Sequence, residues 1–465
     1  MTQLLMGNTK PAKRDMTTGS VWKAILAFAI PIMLGNMLQQ LYNTVDGIIV
    51  GRVVSQEALA AVGSCSALSR FFLCFSMGFS NGCAVMISQY YGARREDDIR
   101  KAFTSGAIIA VGIGTVLAVL GIVFCRWIIT FLMNISNPAV ARYAQIYFAI
   151  YCAGLVFTYA YNFIAYTLRS FGDSRATLYF LGLASILNLI LDLVMVPLLG
   201  IAGAAIATVI SQFICFVASY LYMIKRHGAL NIRFRDYRID LSKVRMCLNL
   251  CIPAILQQCS VSFGNLLMQR LVNGFSGATM AAYTVGAKVE GYLHAPVSGV
   301  QQSMSVFTGQ NMGAGKQERI KKGLQSAVTI NLGWCAVVAA AGLLGSTQMA
   351  QMFGLEGESL TQAVDMIRYY TCTSCVMLFY CLYFSCSGII QGSGDVGYAT
   401  FVSLSALATR VVISYIAVYV FCADYPILWQ FTLVSTTMSM ILAWTRYFSE
   451  KWKKKSERII GKPQS

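Results

Sequence analysis

The chain has 465 residues, 57% of them hydrophobic and only 12% charged, with a mean hydropathy of +0.61. Such apolarity excludes a water-soluble globular domain and points to an integral membrane protein. The formal net charge of +17 would suit a nucleic-acid binder, but the basic residues gather in loops between apolar segments, so nucleic acid is not an expected partner.

Residues 1–20 are polar, carry Lys10, Lys13 and Arg14, and show no small-residue cleavage site, so they read as a tail and not as a cleavable leader. Apolar runs of membrane-spanning length follow near 21–51, 57–91, 98–125, 138–167, 174–197, 201–225, 243–272, 278–310, 317–345, 359–390, 395–421 and 425–448. The expected fold is an all-α membrane protein of twelve transmembrane helices in two six-helix lobes related by a pseudo-twofold axis. The expected boundaries are a tail at 1–20, an N-lobe at 21–225, a basic linker at 226–242, a C-lobe at 243–448 and a basic tail at 449–465.

The first helix organises the chain. At about 100° per residue, Asn36, Gln39, Gln40, Asn43 and Asp46 share one face, with Leu34, Leu38, Leu41, Val45, Ile48 and Ile49 opposite. A carboxylate inside a span is costly and is a functional candidate by default. The amides alone fit a helix–helix contact equally well. Pro31 removes a hydrogen bond within the helix and marks a bend, static or moving, so it is the expected hinge. In the second helix, Gly78-Phe-Ser-Asn-Gly82 matches G-x-S-x-G but lacks the strand-to-helix turn of that motif, and reads as a small-residue packing patch. The fifth helix places Asp192 on one face with Asn188 and Ser185. The eighth carries Glu290, His294 and Ser298 at helical spacing, with Lys288 and Arg410 as available partners. That group reads as an ion-pair cluster, or more sharply as a contact for a cationic substrate.

An internal repeat connects the halves. Pro253 lies 222 residues after Pro31, and Asn36, Gln40 and Asn43 then fall on Gln258, Ser262 and Asn265. Gln89-Tyr-Tyr-Gly92-Ala93 recurs as Gln310-Asn-Met-Gly313-Ala314, and Phe171-Gly172-Asp173 as Ser393-Gly394-Asp395. The acids do not repeat: Asp46 maps to Met268 and Asp192 to Ser414. Both lie five residues before a helix-ending Gly51 or Pro197, so they are expected at one depth and able to converge. Such a pair can bind a proton or, ringed by amide and hydroxyl oxygens, Na⁺.

Lys and Arg are concentrated in the two tails and the alternate loops; Arg52, Arg126, Arg142, Arg270 and Arg368 lie on the other side. Both termini are therefore expected in the cytoplasm. The fifteen cysteines are scattered without ligand spacing and read as small packing residues; Cys372-Thr-Ser-Cys375 lacks the context of a redox motif. No HExxH, Walker A or dinucleotide fingerprint occurs, so no enzyme activity is expected.

From Pro31 through Asp46-Gly47 and Gly51, the AAVG at 60–63, Gln89-x-x-Gly92-Ala93, Leu168-Arg169-x-x-Gly172-Asp173, Asn188-Leu-Ile-Leu-Asp192 and Gly203-Ala-Ala-Ile-Ala-Thr208, the chain resembles the MATE (multidrug and toxic compound extrusion) family, in its DinF/MepA-like branch. Gln310-Asn-Met-Gly313-Ala314 and Gln391-Gly-x-Gly394-Asp395 repeat the pattern. The resemblance implies antiport of amphiphilic, often cationic compounds against H⁺ or Na⁺ across the cytoplasmic (inner) membrane, with no cofactor and with the monomer as the working unit. It implies a coupling site at Asp46, Asp192 and Asn188, joined by Thr208, Asn162 and Tyr147. The substrate cavity would be lined by Asn36, Gln39, Gln40, Asn43, Gln258, Ser262, Asn265 and Glu290. Leu193 departs from the pattern, since similar relatives usually carry Pro after the acid. The alternative is a lipid-linked saccharide flippase of the same architecture.

Overall fold

The computed structural model describes residues 15–53, 56–133, 138–226 and 240–460; the side chains of 41–60, 66, 67, 132 and 458 lie outside that description. The described residues contain helices and no strand. In chain order these are α1 (Val21–Val53), α2 (Gln56–Gly92) and α3 (Glu96–Val123). Then come α4 (Pro138–Ala153 and Leu155–Ser170, bent by 49° at Gly154), α5 (Ser174–Leu199) and α6 (Ile201–Arg226). The second half holds α7 (Leu241–Val272), α8 (Gly277–Gly313), α9 (Gln317–Gln351), and α10 (Gly357–Thr373 and Val376–Gly392, bent by 57°). It closes with α11 (Val396–Tyr419), α12 (Ile427–Phe448) and a short α13 (Lys453–Ile460).

Among the described residues, nine helices are long and apolar enough to cross a membrane, and the bent pairs α4 and α10 bring that to eleven. The twelfth, α8, is long enough but carries Lys288, Glu290 and His294 and is less apolar. The sequence bounds lie within a few residues of these helices, but the runs 138–167 and 359–390 are each broken. At Ser374 the backbone turns extended, and Cys372-Thr-Ser-Cys375 sits on that break as free thiols.

Two compact units emerge. One comprises Asp15 and Leu34–Ile255, the other Met16–Met33 and Leu256–Ser465. Helices α1 and α7 each begin in the other unit. Each divides two residues after a proline, Pro31 or Pro253, and the two points are 222 residues apart, so the repeat extends to the crossover. Both prolines lie inside continuous helices.

Lipid offers no hydrophobic drive between helices, so close packing rests on small residues. In the first unit, α2 meets α7 at Gly78 and Gly82. A Cβ on Gly78 would lie 2.5 Å from Ile255 Cα, and one on Gly82 2.6 Å from Cys251 Cα. The G-x-S-x-G stretch is a packing patch. The core beside it gathers Phe148, Tyr159 and Leu155 against Cys65 and Ala61. Wide apolar faces point outward, as at Val116, Val119 and Val123 on α3.

The repeated motifs build repeated turns. Gly172 and Gly394 take φ of +84° and +89°, left-handed values open to glycine. Asp173 then accepts from the Ala176 N–H at 3.2 Å to cap α5, and its other oxygen accepts from Tyr222 at 2.7 Å. Asp395 is buried and takes two Arg446 nitrogens at 2.7 Å, with Lys455 at 3.7 Å tying α13 to it. Next to that anchor, the hydrogen bond from Lys453 holds the Glu450 carboxyl below the usual carboxylate range. In the second unit, Gln310 and Asn311 grip the chain before α1: Gln310 Oε1 accepts from the Met16 N–H, and Asn311 donates to the Met16 carbonyl, both at 3.2 Å. Arg319 donates to the carbonyls of Met16, Thr18 and Gly19. Gln89, the counterpart of Gln310, is likewise fully buried.

Candidate functional site

In the first unit, the single residue Gly200 separates α5 from α6, so the two helices return antiparallel along one another. This places Asp192 and Asn188 of α5 against Thr208 of α6. Asp192 is 1% and Asn188 2% exposed. The Asn188 amide is oriented so that both its ends are satisfied: Nδ2 donates to Asp192 Oδ2 at 2.8 Å, and Oδ1 accepts from the Thr208 N–H at 3.1 Å. Thr208 Oγ1 lies 3.3 Å from the same amide and donates to the Ala204 carbonyl at 3.0 Å. Asn188 thus bridges the two helices and fixes the rotamer of the carboxylate. Helix α5 runs unbroken through Leu193, which faces outward.

Asp46 and Asn43 lie on α1, but their side chains are outside the described residues. Asn162 is buried on α4 and donates to Ser76 Oγ at 3.1 Å; Tyr147, also on α4, is buried within the core around Phe148. Asn36, Gln39 and Gln40 are half-buried along the first unit's part of α1. The structure therefore joins Asp192, Asn188 and Thr208, and ties Asn162 to α2 instead.

In the second unit, the counterpart of Asp192 is Ser414, fully buried, and that of Asp46 is Met268, also buried. Along α7, Gln258 and Ser262 are half-buried and Asn265 is exposed. A neighbour the repeat did not single out also makes polar contacts inside this unit. Gln257 donates to Ser403 Oγ at 3.0 Å and accepts from Gln391 at 3.0 Å. Tyr383 lies 3.4 Å from the same serine. Gln258, the residue the repeat points to, lies one position along the helix; Gln257 sits one turn after Pro253, on the face that carries the buried Leu250 and Met268.

Glu290 and His294 form a second polar group on α8, with Oε1 to Nδ1 at 3.8 Å. The His294 ring centroid lies 4.2 Å from that of Tyr380. Arg410 interacts electrostatically with Glu290 and with Tyr283, Tyr370 and Tyr380. Lys288 points elsewhere, with Nζ 5.6 Å from the centre of the Phe353 ring. Of the two expected partners for Glu290, Arg410 lies within electrostatic range and Lys288 is turned away, because residues two apart lie on different faces of a helix.

The family model described as MatE matches residues 31–194 and 253–416, two segments with the offset of the internal repeat. The chain is 28% identical to "Probable multidrug resistance protein YoeA" of Bacillus subtilis (strain 168), over 94% of this chain and 95% of that one. It is 20% identical to "Multidrug export protein MepA" of Staphylococcus haemolyticus (strain JCSC1435), over 83% and 84% respectively. Among solved structures, "Crystal structure of MATE in complex with MaL6" is similar with a TM-score of 0.87 and 23% identity, covering 96% of this chain and 100% of that chain.

Proposed function

The chain belongs to the MatE family, and from that premise we propose that it is a multidrug exporter of the cytoplasmic membrane driven by inward flow of H⁺ or Na⁺. Its substrates are small amphiphilic compounds, often cationic, and it works as a monomer without a cofactor, with both termini in the cytoplasm. The coupling cation binds in the first unit at Asp192, with Asp46 as the second acid, and with Asn188 and Thr208 as the polar frame. Asn162 and Tyr147 are outer members of that site. Substrate is held by the amides of α1 and α7 and by Glu290, and Pro31 is the hinge.

What carries this reading is the Asp192 carboxylate, buried in a membrane helix and held by an asparagine that itself bridges α5 and α6. Burying a carboxylate in a span costs several kcal/mol by order of magnitude, whereas the matching place in the twin half is filled by the neutral, buried Ser414. A site that alternately loads and releases a cation needs such a group. Protonation or Na⁺ removes its charge and so changes which helix arrangement is favoured. At the positions of Asp46 and Asp192 the second half carries Met268 and Ser414, so the two halves are not equivalent in how they respond.

The experiment is ethidium efflux from proteoliposomes with the pH and Na⁺ gradients imposed independently. Efflux driven by one gradient in the parent protein, and lost in Asp192→Asn, is the expected result. Efflux indifferent to both gradients overturns antiport and leaves lipid-linked saccharide transport as the reading to test.

A further inference from the structure

Cys83 of α2 and Cys247 and Cys251 of α7 are distant in sequence, yet their three sulfurs converge within the first unit. The Sγ–Sγ distances are 3.2 Å (Cys83–Cys247), 3.5 Å (Cys247–Cys251) and 3.6 Å (Cys83–Cys251). All three side chains are buried. Cys247 and Cys251 are one helical turn apart and face α2, and Gly82 leaves the room that lets Cys251 approach. Among the described residues no other group of three Cys, His, Asp or Glu side chains converges in this way, and no fourth such residue joins this one. Scattered spacing in the sequence concealed the site, since one ligand comes from the first repeat and two from the second.

We propose that these cysteines form a trithiol site for one trivalent metalloid atom of the arsenic and antimony class. Geometry brings three sulfurs within reach of one atom, and charge selects its class. With bonds to sulfur of about 2.3 Å, planar three-coordination separates sulfurs by about 4.0 Å and tetrahedral by about 3.8 Å, whereas pyramidal bonding at about 95° gives about 3.4 Å. The sulfurs at 3.2–3.6 Å need move by only a few tenths of an ångström to close around one atom in any of these geometries. Three thiolates around Cu(I) would leave two negative charges in an apolar interior, and around Zn²⁺ one, with the fourth zinc position unfilled. A trivalent atom gives a neutral complex. Arsenous acid enters neutral: As(OH)₃ and three thiols give As(S-Cys)₃ and three waters. Three As–O and three S–H bonds break, three As–S and three O–H bonds form, and arsenic remains trivalent. Bound there, the atom staples the first turns of α7 to α2.

The test uses the purified full-length chain in detergent with a phosphine reductant and arsenite as the probe. Intact mass is expected to rise by one arsenic less three hydrogens, and arsenic X-ray absorption to show three sulfur neighbours and no oxygen. Cys83→Ser and Cys247→Ala are each expected to weaken uptake about tenfold or more, and any residual adduct keeps an oxygen. A melting temperature raised by arsenite in the parent, and unmoved in either variant, confirms that the folded protein is the binder. Uptake equal in parent and variants, a two-sulfur adduct in the parent, or a Cys83–Cys247 disulfide in the reduced preparation would each overturn the proposal.

Discussion

Replacing Gly78 by alanine tests the contact that seats α7 on α2. The new Cβ would lie 2.5 Å from Ile255 Cα, 2.7 Å from Ile255 N and 2.9 Å from the Ala254 carbonyl oxygen. All three are backbone atoms, so no rotamer change relieves the clash. Restoring ordinary contact requires the helices to separate by about 0.9 Å, and overpacking of this kind costs about 1–3 kcal/mol. Helix propensity works the other way, since alanine is favoured over glycine by up to about 1 kcal/mol in a helix interior. Gly182 on α5 is the control, because a Cβ there meets nothing within 4 Å and only the propensity gain remains. The propensity gain is common to both, so the two variants should differ by the overpacking cost, about 1–3 kcal/mol, with Gly78→Ala the less stable. For a unit of this size that corresponds to about 2–12 °C in apparent melting temperature, read by size-exclusion fluorescence after heating in detergent. Gly78→Ala melting at or above Gly182→Ala would show that α2 and α7 are not in backbone contact.

Asn188→Leu removes the donor that holds Asp192; a hydrogen bond to a charged group is worth about 1.5–3 kcal/mol, so the variant should melt lower and lose gradient-driven efflux. Unchanged efflux in that variant would detach Asn188 from the coupling site. Asp192→Asn should express and fold like the parent but export no faster with a gradient than without one, as measured in proteoliposomes. Arg446→Met leaves the buried Asp395 carboxylate without its two-nitrogen partner, a change that costs about 3–5 kcal/mol; adding Asp395→Asn should recover much of the loss in a double-mutant melt. Gly394→Ala places a Cβ at a φ of +89° and should cost about 1–2 kcal/mol, whereas the same change at Gly397, with open space around it, should not.

Hydropathy alone determined that this chain crosses a membrane about twelve times, because each span must close its backbone hydrogen bonds in a solvent that offers none. The 222-residue repeat likewise determined that it is built twice over, and residue chemistry singled out Asp192 and Asn188, since an acid and an amide one turn apart inside an apolar helix have few bland explanations. Only the tertiary structure decided which other residues meet them. The approach of Thr208 depends on the Gly200 turn reversing the chain, and the choice of Gln257 over Gln258 depends on a rotation of α7 that an alignment of halves does not fix. The same holds for the exchange of the first stretches of α1 and α7 between units, and for the three cysteines drawn together where glycines let α2 and α7 touch. Periodicity reports which face of a helix is polar. Which helix that face meets is set by packing between segments far apart in the chain, and that information exists only in the folded molecule.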